Sequence, residues 1–326
     1  ALHKLSLYWN RLRMDKELPY SQFLVSATNN QRNDLGIKFT EAAHLYLKMK
    51  GKQKGATFYN SVQRANRYIV SSIGDKDLAS YTRANANSFR DYLLKRELAG
   101  SSITRILAIV KAIFNFANSE NGLNLKNHFS GLQYDRFAGV GSREPIPIDN
   151  IRVIQKRCIE IDDELRWLVA LISDTGMRLA EATGLLVEDI KLVSEAPFVS
   201  VQSHSWRPLK TKGSKRYIPL VGKALWSAKR IQAMSESKFA FPRYNTSTFT
   251  STNTASASLN KWLKSEGFSE YTMHSFRHSL RDRLRYVACP SEITDQIGGW
   301  SNKTVGQNYG NGYRLCDLNI WMQKLA

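Results

Sequence analysis

Between Lys38 and about Tyr134 the apolar residues recur mainly at three- and four-residue intervals, so this stretch reads as wholly helical, helices packed on helices. Phe39, Ala42, Ala43, Tyr46 and Leu47 make one stripe, and a basic turn from Lys48 to Lys54 around Gly51 and Gly55 ends it. A second helix is expected over Thr57–Ile73, stopped by Gly74. A third over Asn85–Glu97, with Phe89, Tyr92 and Leu93 on one face, ends at Gly100. Ser102 reads as the cap of a fourth, Ile103–Ser119, with Ile106, Ile109, Val110, Ile113 and Phe114 inward. The whole stretch to Tyr134 is thus expected to be a small all-helical domain.

Residues 135–149 (DRFAGVGSREPIPID) hold Gly139, Gly141, Pro145 and Pro147 and read as a linker, after which the pattern is mixed. Ile151–Ile161, Glu164–Ser173 and Leu179–Leu185 keep the helical period. Pro197–Gln202 and Lys215–Pro219 are short and rich in β-branched or aromatic residues, as strands are. The Ser/Thr/Asn-rich run 245–258 is expected to be a polar loop entering a helix. The expected fold is therefore mainly α: an all-α domain over 37–138, then an α+β domain over 139–326 with a small antiparallel sheet. Residues 1–36, with Trp9, Arg11, Arg13 and Tyr20, read as an N-terminal extension, an arm or linker, or the trimmed remainder of a further domain.

Charge narrows the function. The chain of 326 residues carries 47 Lys and Arg against 28 Asp and Glu, a formal +19, which points to a polyanion. Residues 1–143 hold 22 basic and 10 acidic side chains, and residues 144–326 hold 25 and 18. Nucleic acid is the leading partner and an anionic membrane surface the second. Cys158, Cys289 and Cys316 are odd in number and far apart, which fits a reducing compartment rather than a disulfide framework or a Cys-based zinc module. With no apolar run near the ~20 residues that span a bilayer and no signal peptide, the expectation is a soluble cytoplasmic protein, in a bacterial cell or a phage-infected host.

Four segments of the second half carry polar chemistry. In Thr175-Gly176-Met177-Arg178-Leu179-Ala180-Glu181 a glycine turn places Arg178 at a helix N-terminus, where an anion is favoured; a surface Arg paired with a nearby Glu fits equally. Pro208 to Pro219 reads as a hairpin with a basic tip, where Lys210 or Lys212 could reach a phosphate, or as an ordinary solvated turn. In His274-Ser275-Phe276-Arg277-His278 a helix would set His274 and Arg277 on one face, an arginine clamp beside an imidazole. His274 and His278 also stand at the spacing of helical zinc sites, but Ser275 replaces the Glu of that pattern and no third ligand is evident. Last, Gly298-Gly299-Trp300 is followed by Tyr309 and Tyr313, aromatics that in isolation read as core.

Taken in order, Arg178, Lys210, His274-x-x-Arg277, Trp300 and Tyr309 resemble the tyrosine recombinase family of phage integrases. The resemblance covers the chain from about residue 145 to the end. The helical stretch before it matches the family's core-binding, SAM-like DNA-binding domain in size and class. It implies that Arg178 and Arg277 grip the non-bridging oxygens of the scissile phosphate, with His274 between them. Lys210, with Lys212 in reserve, would protonate the leaving 5′-oxygen, and Tyr309 would be the nucleophile. Trp300 stands where most members have His, and an indole N–H can donate but cannot titrate. Glu181 matches an acidic residue that often follows the first arginine, bracing structure rather than doing chemistry.

Phosphodiester transfer of this kind needs a nucleophile, a proton donor and fixed cations. No Walker loop or Mg²⁺-holding carboxylate cluster is seen, so no cofactor and no metal are expected. The implied protein is a site-specific DNA recombinase or integrase that works through a 3′-phosphotyrosyl intermediate and a Holliday junction. Its partners would be double-stranded DNA and three further copies, a homotetramer on two DNA sites, with protomer contacts through the tail Leu315–Leu325. The alternatives are a type IB topoisomerase-like enzyme and a catalytically silent DNA-binding regulator.

Overall fold

The structure, a computed structural model, describes residues 36–52, 54–141, 144–234, 236–300 and 312–326. The chain divides after Gly141 into two compact units.

In the first unit the described residues form α1 (Phe39–Lys50), α2 (Ala56–Ile73), α3 (Arg83–Lys95) and α4 (Gly100–Glu120). Thr82 caps α3 by accepting from the Asn85 amide at 3.2 Å. α4 packs against each of the other three helices and carries the core residues Ile103, Ile106, Leu107, Val110, Ile113, Phe114 and Ala117. It begins earlier than its sequence signals indicate: Ala99 occupies the cap position and Ser102 lies inside the first turn. The cause is tertiary. Gly100 lies against the backbone of Asp135 and Arg136, where a Cβ would overlap, and donates to the Ala138 carbonyl at 2.8 Å. By length and composition α4 could cross a membrane, which corrects the expectation that no segment could; its apolar side faces the bundle core.

The expectation of helix up to Tyr134 also needs correction. After α4 the chain turns at Asn121 and Gly122 and runs back without helix. Arg83 clamps that return, donating to the carbonyls of His128 (3.0 Å), Ser130 (2.6 Å) and Gly131 (2.8 Å). Phe129 is thereby driven into the bundle, its ring 5.6–6.3 Å from those of Tyr81, Phe89 and Phe114. Burying such a side chain contributes about 1.5–3 kcal/mol, which local helix propensity there could not match.

The second unit is built on α5 (Ile148–Ile161) and α6 (Glu164–Thr175). Every residue of α6 from Leu168 to Thr175 is buried, so this helix runs through the middle of the unit. α8 (Gly222–Met234) and α10 (Ser275–Tyr286) pack on it. Between α6 and α8 lie the short α7 (Leu179–Thr183) and an antiparallel sheet of β1 (Ile190–Lys191), β2 (Phe198–Val201) and β3 (Arg216–Pro219), in that order. The register sets Val199 opposite Ile218 and Val201 opposite Arg216. β1, two residues long, has no signal of its own in the sequence. α9 (Thr252–Ser265) follows the polar loop, α11 (Ser291–Gly298) follows α10, and α12 (Leu315–Gln323) lies against β3 with Leu318 and Met322 buried.

Candidate active site

Arg178 stands at the N-cap of α7, a helix of only five residues. Its guanidinium is held mainly by side chains. Nη1 donates to Glu181 Oε1 at 2.6 Å and to Ser214 Oγ at 3.1 Å, and Nη2 donates to the Gly299 carbonyl at 3.2 Å. The side chain keeps 23% of its surface exposed. Glu181 is buried, which on its own would raise its pKa. The guanidinium groups of Arg216 and Arg178 outweigh that and hold it below the usual carboxylate value.

Arg277 lies on the first turn of α10, 4% exposed, and donates from Nη1 to the Gly176 carbonyl at 2.9 Å. No carboxylate lies within ion-pair distance of it among the described residues, and its Nη2 has no hydrogen-bond partner there. Burial, then the like charges of Arg178 and Arg216, lower its pKa to about 9, so it is still a cation at neutral pH. The ring of Trp300 covers it: the guanidinium carbon of Arg277 is 4.4 Å from the indole centroid, and that of Arg281 is 4.8 Å away. Arg281 is in turn paired with Asp295 at 3.2 Å, and the Trp300 amide donates to the Asp295 carbonyl at 3.0 Å.

His274 is the cap residue of α10 and is exposed, so it shares the helix start with Arg277 while Arg277 points inward. Its ring is 5.2 Å from that of His278, nearly perpendicular. Both rings, with Arg277, Arg281 and Trp300, line a cleft of about 340 Å³. Among the described residues no three His, Cys, Asp or Glu side chains converge to hold a metal ion. A larger cavity of about 790 Å³ lies by the C-terminus, walled by Ile146, Ile148, Tyr286 and Leu325; it shares Pro145 and Asp282 with the cleft but none of its His, Arg277 or Trp300 side chains.

Lys210 is exposed in the β2–β3 connection, next to the turn Lys212–Ser214. The base of that connection is fixed by buried Asp189, which accepts from Gln202 at 2.7 Å and pairs with His204 at 2.8 Å. Its tip is fixed to Arg178 through Ser214, whose Oγ also meets Thr211 Oγ1 at 2.9 Å. The side chain of Lys212 lies outside the described part. So does Tyr309, in the segment 301–311. Tyr313 is exposed; its hydroxyl donates to Glu292 at 2.9 Å, and that carboxylate raises its pKa.

Sequence reasoning did not find Arg216, Ser214 or Arg281. Arg216 had a usable signal. It alternates with Ile218 on β3, so a charged side chain occupies an inward position and must have a partner.

A small antiparallel sheet set among helices, with Arg277 and Trp300 together at the start of α10, is the fold of an integrase catalytic domain. The family model described as "Phage integrase family" matches residues 148–313, and the chain belongs to that family, the tyrosine-type site-specific recombinases. A search of curated proteins gives no match. Among solved structures, the integrase of transposon Tn1549 in complex with circular intermediate DNA is similar at 16% identity and TM-score 0.68, over 88% of this chain and 99% of that one. A lambda integrase tetramer bound to a Holliday junction is similar at 16% identity and TM-score 0.63, over 90% and 81%. A lambda integrase dimer on a core site aligns at 16% identity and TM-score 0.66, over 96% and 89%. At such identities these likenesses concern the fold.

Proposed function

We propose that this chain cuts and rejoins DNA through a 3′-phosphotyrosyl intermediate, with Tyr309 as the nucleophile. Its phenol oxygen, giving up its proton to water, bonds to the scissile phosphorus as the bond to the 5′-oxygen breaks, and Lys210 gives that oxygen a proton. Arg178 and Arg277 hold the non-bridging oxygens, His274 and the indole N–H of Trp300 add donors, and Glu181 braces Arg178. Because the phosphotyrosine keeps the energy of the broken bond, a second 5′-hydroxyl can attack it and reseal the strand.

The observation that carries this reading is Arg277. Among the described residues it is a buried cation without a counter-ion and with an unpartnered donor, which is costly to keep. A phosphate oxygen would supply both the charge and the acceptor.

The first unit, 37–138, is proposed as a DNA-binding domain, and 139–326 as the catalytic domain. Similar chains include a lambda integrase tetramer on a Holliday junction. A homotetramer on two sites, exchanging strands through such a junction, is proposed here too. In the single chain α12 seats Leu318 and Met322 in its own core; in the tetramer the same helix is proposed to mediate protomer contacts. The reaction belongs where the DNA is, in the cytoplasm of a bacterial cell or phage-infected host.

The test is a nicked suicide duplex carrying the target site. A covalent adduct should form without metal or nucleotide, and peptide mapping should find the DNA on Tyr309. Relaxation of any supercoiled plasmid by a monomer would instead make the chain topoisomerase-like, and absence of any adduct would make it a binding regulator.

A further inference from the structure

Arg216 is the one charged side chain on β3, and it faces inward. It is 3% exposed, so it cannot reach DNA, yet each of its nitrogens is used. Nε donates to the Ile297 carbonyl at 2.9 Å, Nη1 to the Ser214 carbonyl at 2.8 Å, and Nη2 to Glu181 Oε2 at 2.9 Å. These are three separate elements: the carboxylate of α7, the tip of the β2–β3 connection, and the C-terminal end of α11.

Arg178 grips the same three places from the other side, through Glu181 Oε1, Ser214 Oγ and the Gly299 carbonyl. Glu181 stands between the two guanidinium groups and gives one oxygen to each. Gly299 turns over Arg216 so closely, at φ +63°, that a Cβ would lie 2.8 Å from Arg216 Nη1. The chain leaving this turn carries Trp300 and runs on toward Tyr309. One buried arginine therefore joins the groups that fix Arg178, the strand connection with Lys210, and the start of the segment with the nucleophile.

We propose that Arg216 is a positioning residue for the recombinase reaction. It sets the angle of the Arg178 fork through Glu181, and it fixes the Ser214 and Ile297–Gly299 backbones around that fork. This rests on the reading that Arg178 holds a non-bridging oxygen of the scissile phosphate. A planar fork with three donors in fixed directions is needed; an ammonium keeps the charge but cannot meet three acceptors in one plane.

The experiment measures single-turnover adduct formation on a nicked suicide duplex whose scissile linkage is either phosphate or a neutral methylphosphonate. Duplex affinity and melting temperature are measured alongside. The neutral linkage removes the charge that Arg178 meets, so a defect acting through Arg178 should largely vanish on it. Arg178→Lys is the reference: it should lose about 10²-fold on phosphate and recover on methylphosphonate. Arg216→Lys is expected to lose roughly 10- to 100-fold on phosphate, as a misplaced clamp does. It should recover to within about threefold of wild type on the neutral linkage, and add no further loss to Arg178→Lys in the double variant. If Arg216→Lys melts below the assay temperature, Gly299→Ala, which pushes on Arg216 without replacing it, is read in the same way.

Equal losses on both linkages, multiplying losses in the double variant, or no loss at all would overturn the positioning role. If Arg178→Lys itself cleaves phosphate normally, or fails to recover on methylphosphonate, it is the reading of Arg178 that falls.

Discussion

Arg277 and Trp300 form a stacked pair, with the guanidinium carbon 4.4 Å from the indole centroid. The ring shields from water a cation that has no carboxylate partner among the described residues. Trp300→Ala should therefore expose Arg277, cost about 1–2 kcal/mol from the lost cation–π contact, and slow adduct formation. Trp300→Phe keeps an aromatic face and should retain most of the stability while losing the N–H donor. Melting curves and single-turnover cleavage separate the two parts. If Phe destabilises as much as Ala, stacking is not what the ring contributes.

Burying Arg277 works against the stability of the free protein. Its folded pKa of about 9 lies well below the ordinary guanidinium value. Between those values the unfolded chain binds more protons, so stability should rise with pH through that window, and the full cost is present at pH 7. Arg277→Gln, which keeps a donor for the Gly176 carbonyl, is expected to melt no lower than wild type at pH 7 without DNA. Any gain should shrink between pH 8 and 10, at roughly 2–4 °C per kcal/mol for a unit of this size. Adding DNA should reverse the order. A variant much less stable than wild type at every pH would show that Arg277 is structural.

Glu181 gives the same sign of pH dependence at the acid end, but there the charged form is the stabilising one. Its folded pKa is held below the ordinary carboxylate value by Arg216 and Arg178. Its contribution is therefore complete above the unfolded pKa near 4.5 and disappears as pH falls through the lower folded value. Glu181→Gln leaves two guanidinium groups facing each other and should cost about 3–5 kcal/mol at pH 7. The difference from wild type should narrow under acid, which denaturant titrations at pH 7 and pH 3.5 would show.

These residues also show how much of the molecule was legible in advance. The helical first unit and the two longer strands follow from periodicity, because each buries a single regular face. The start of α4 and the return after it were misread, since both are fixed by contacts distant in sequence, Gly100 with Asp135 and Arg83 with Ser130. At the site, Arg178, His274 and Arg277 were marked by their local motifs. Arg216 and Ser214 lie within the segment 208–219, but its basic tip drew attention to the lysines. Arg216 acts through Glu181 and the Ser214 and Ile297 carbonyls, and Ser214 through its hydroxyl on Arg178. The alternation of Arg216 with Ile218 signals that it is buried, but its partners are distant in sequence and appear only in three dimensions.

Between the two tyrosines near the C-terminus, Tyr313 is already engaged. Its hydroxyl donates to Glu292, and that carboxylate raises its pKa, which disfavours the phenolate needed for attack. Tyr309→Phe should abolish covalent attachment with duplex affinity unchanged within about twofold, whereas Tyr313→Phe should leave attachment within about threefold of wild type, the loss of one surface hydrogen bond being small. Gel separation of the adducts decides it. Loss of attachment in Tyr313→Phe alone would reassign the nucleophile.

Lys210 is exposed near the turn that Ser214 ties to Arg178, so it is free to approach a leaving oxygen while its strand connection stays fixed. If it donates the proton, its importance depends on how badly the leaving group needs one. Lys210→Ala should slow cleavage of an ordinary phosphodiester by about 10²–10⁴-fold, the usual scale of general acid catalysis. With a 5′-bridging sulfur at the scissile position the leaving thiolate is stable unprotonated, and the same variant should cleave within about tenfold of wild type, because the proton is no longer needed. Lys212→Ala should show neither the loss nor the recovery. The reverse pattern would move the acid to Lys212, and an unrecovered loss in Lys210→Ala would mean that this lysine serves DNA binding instead of proton transfer.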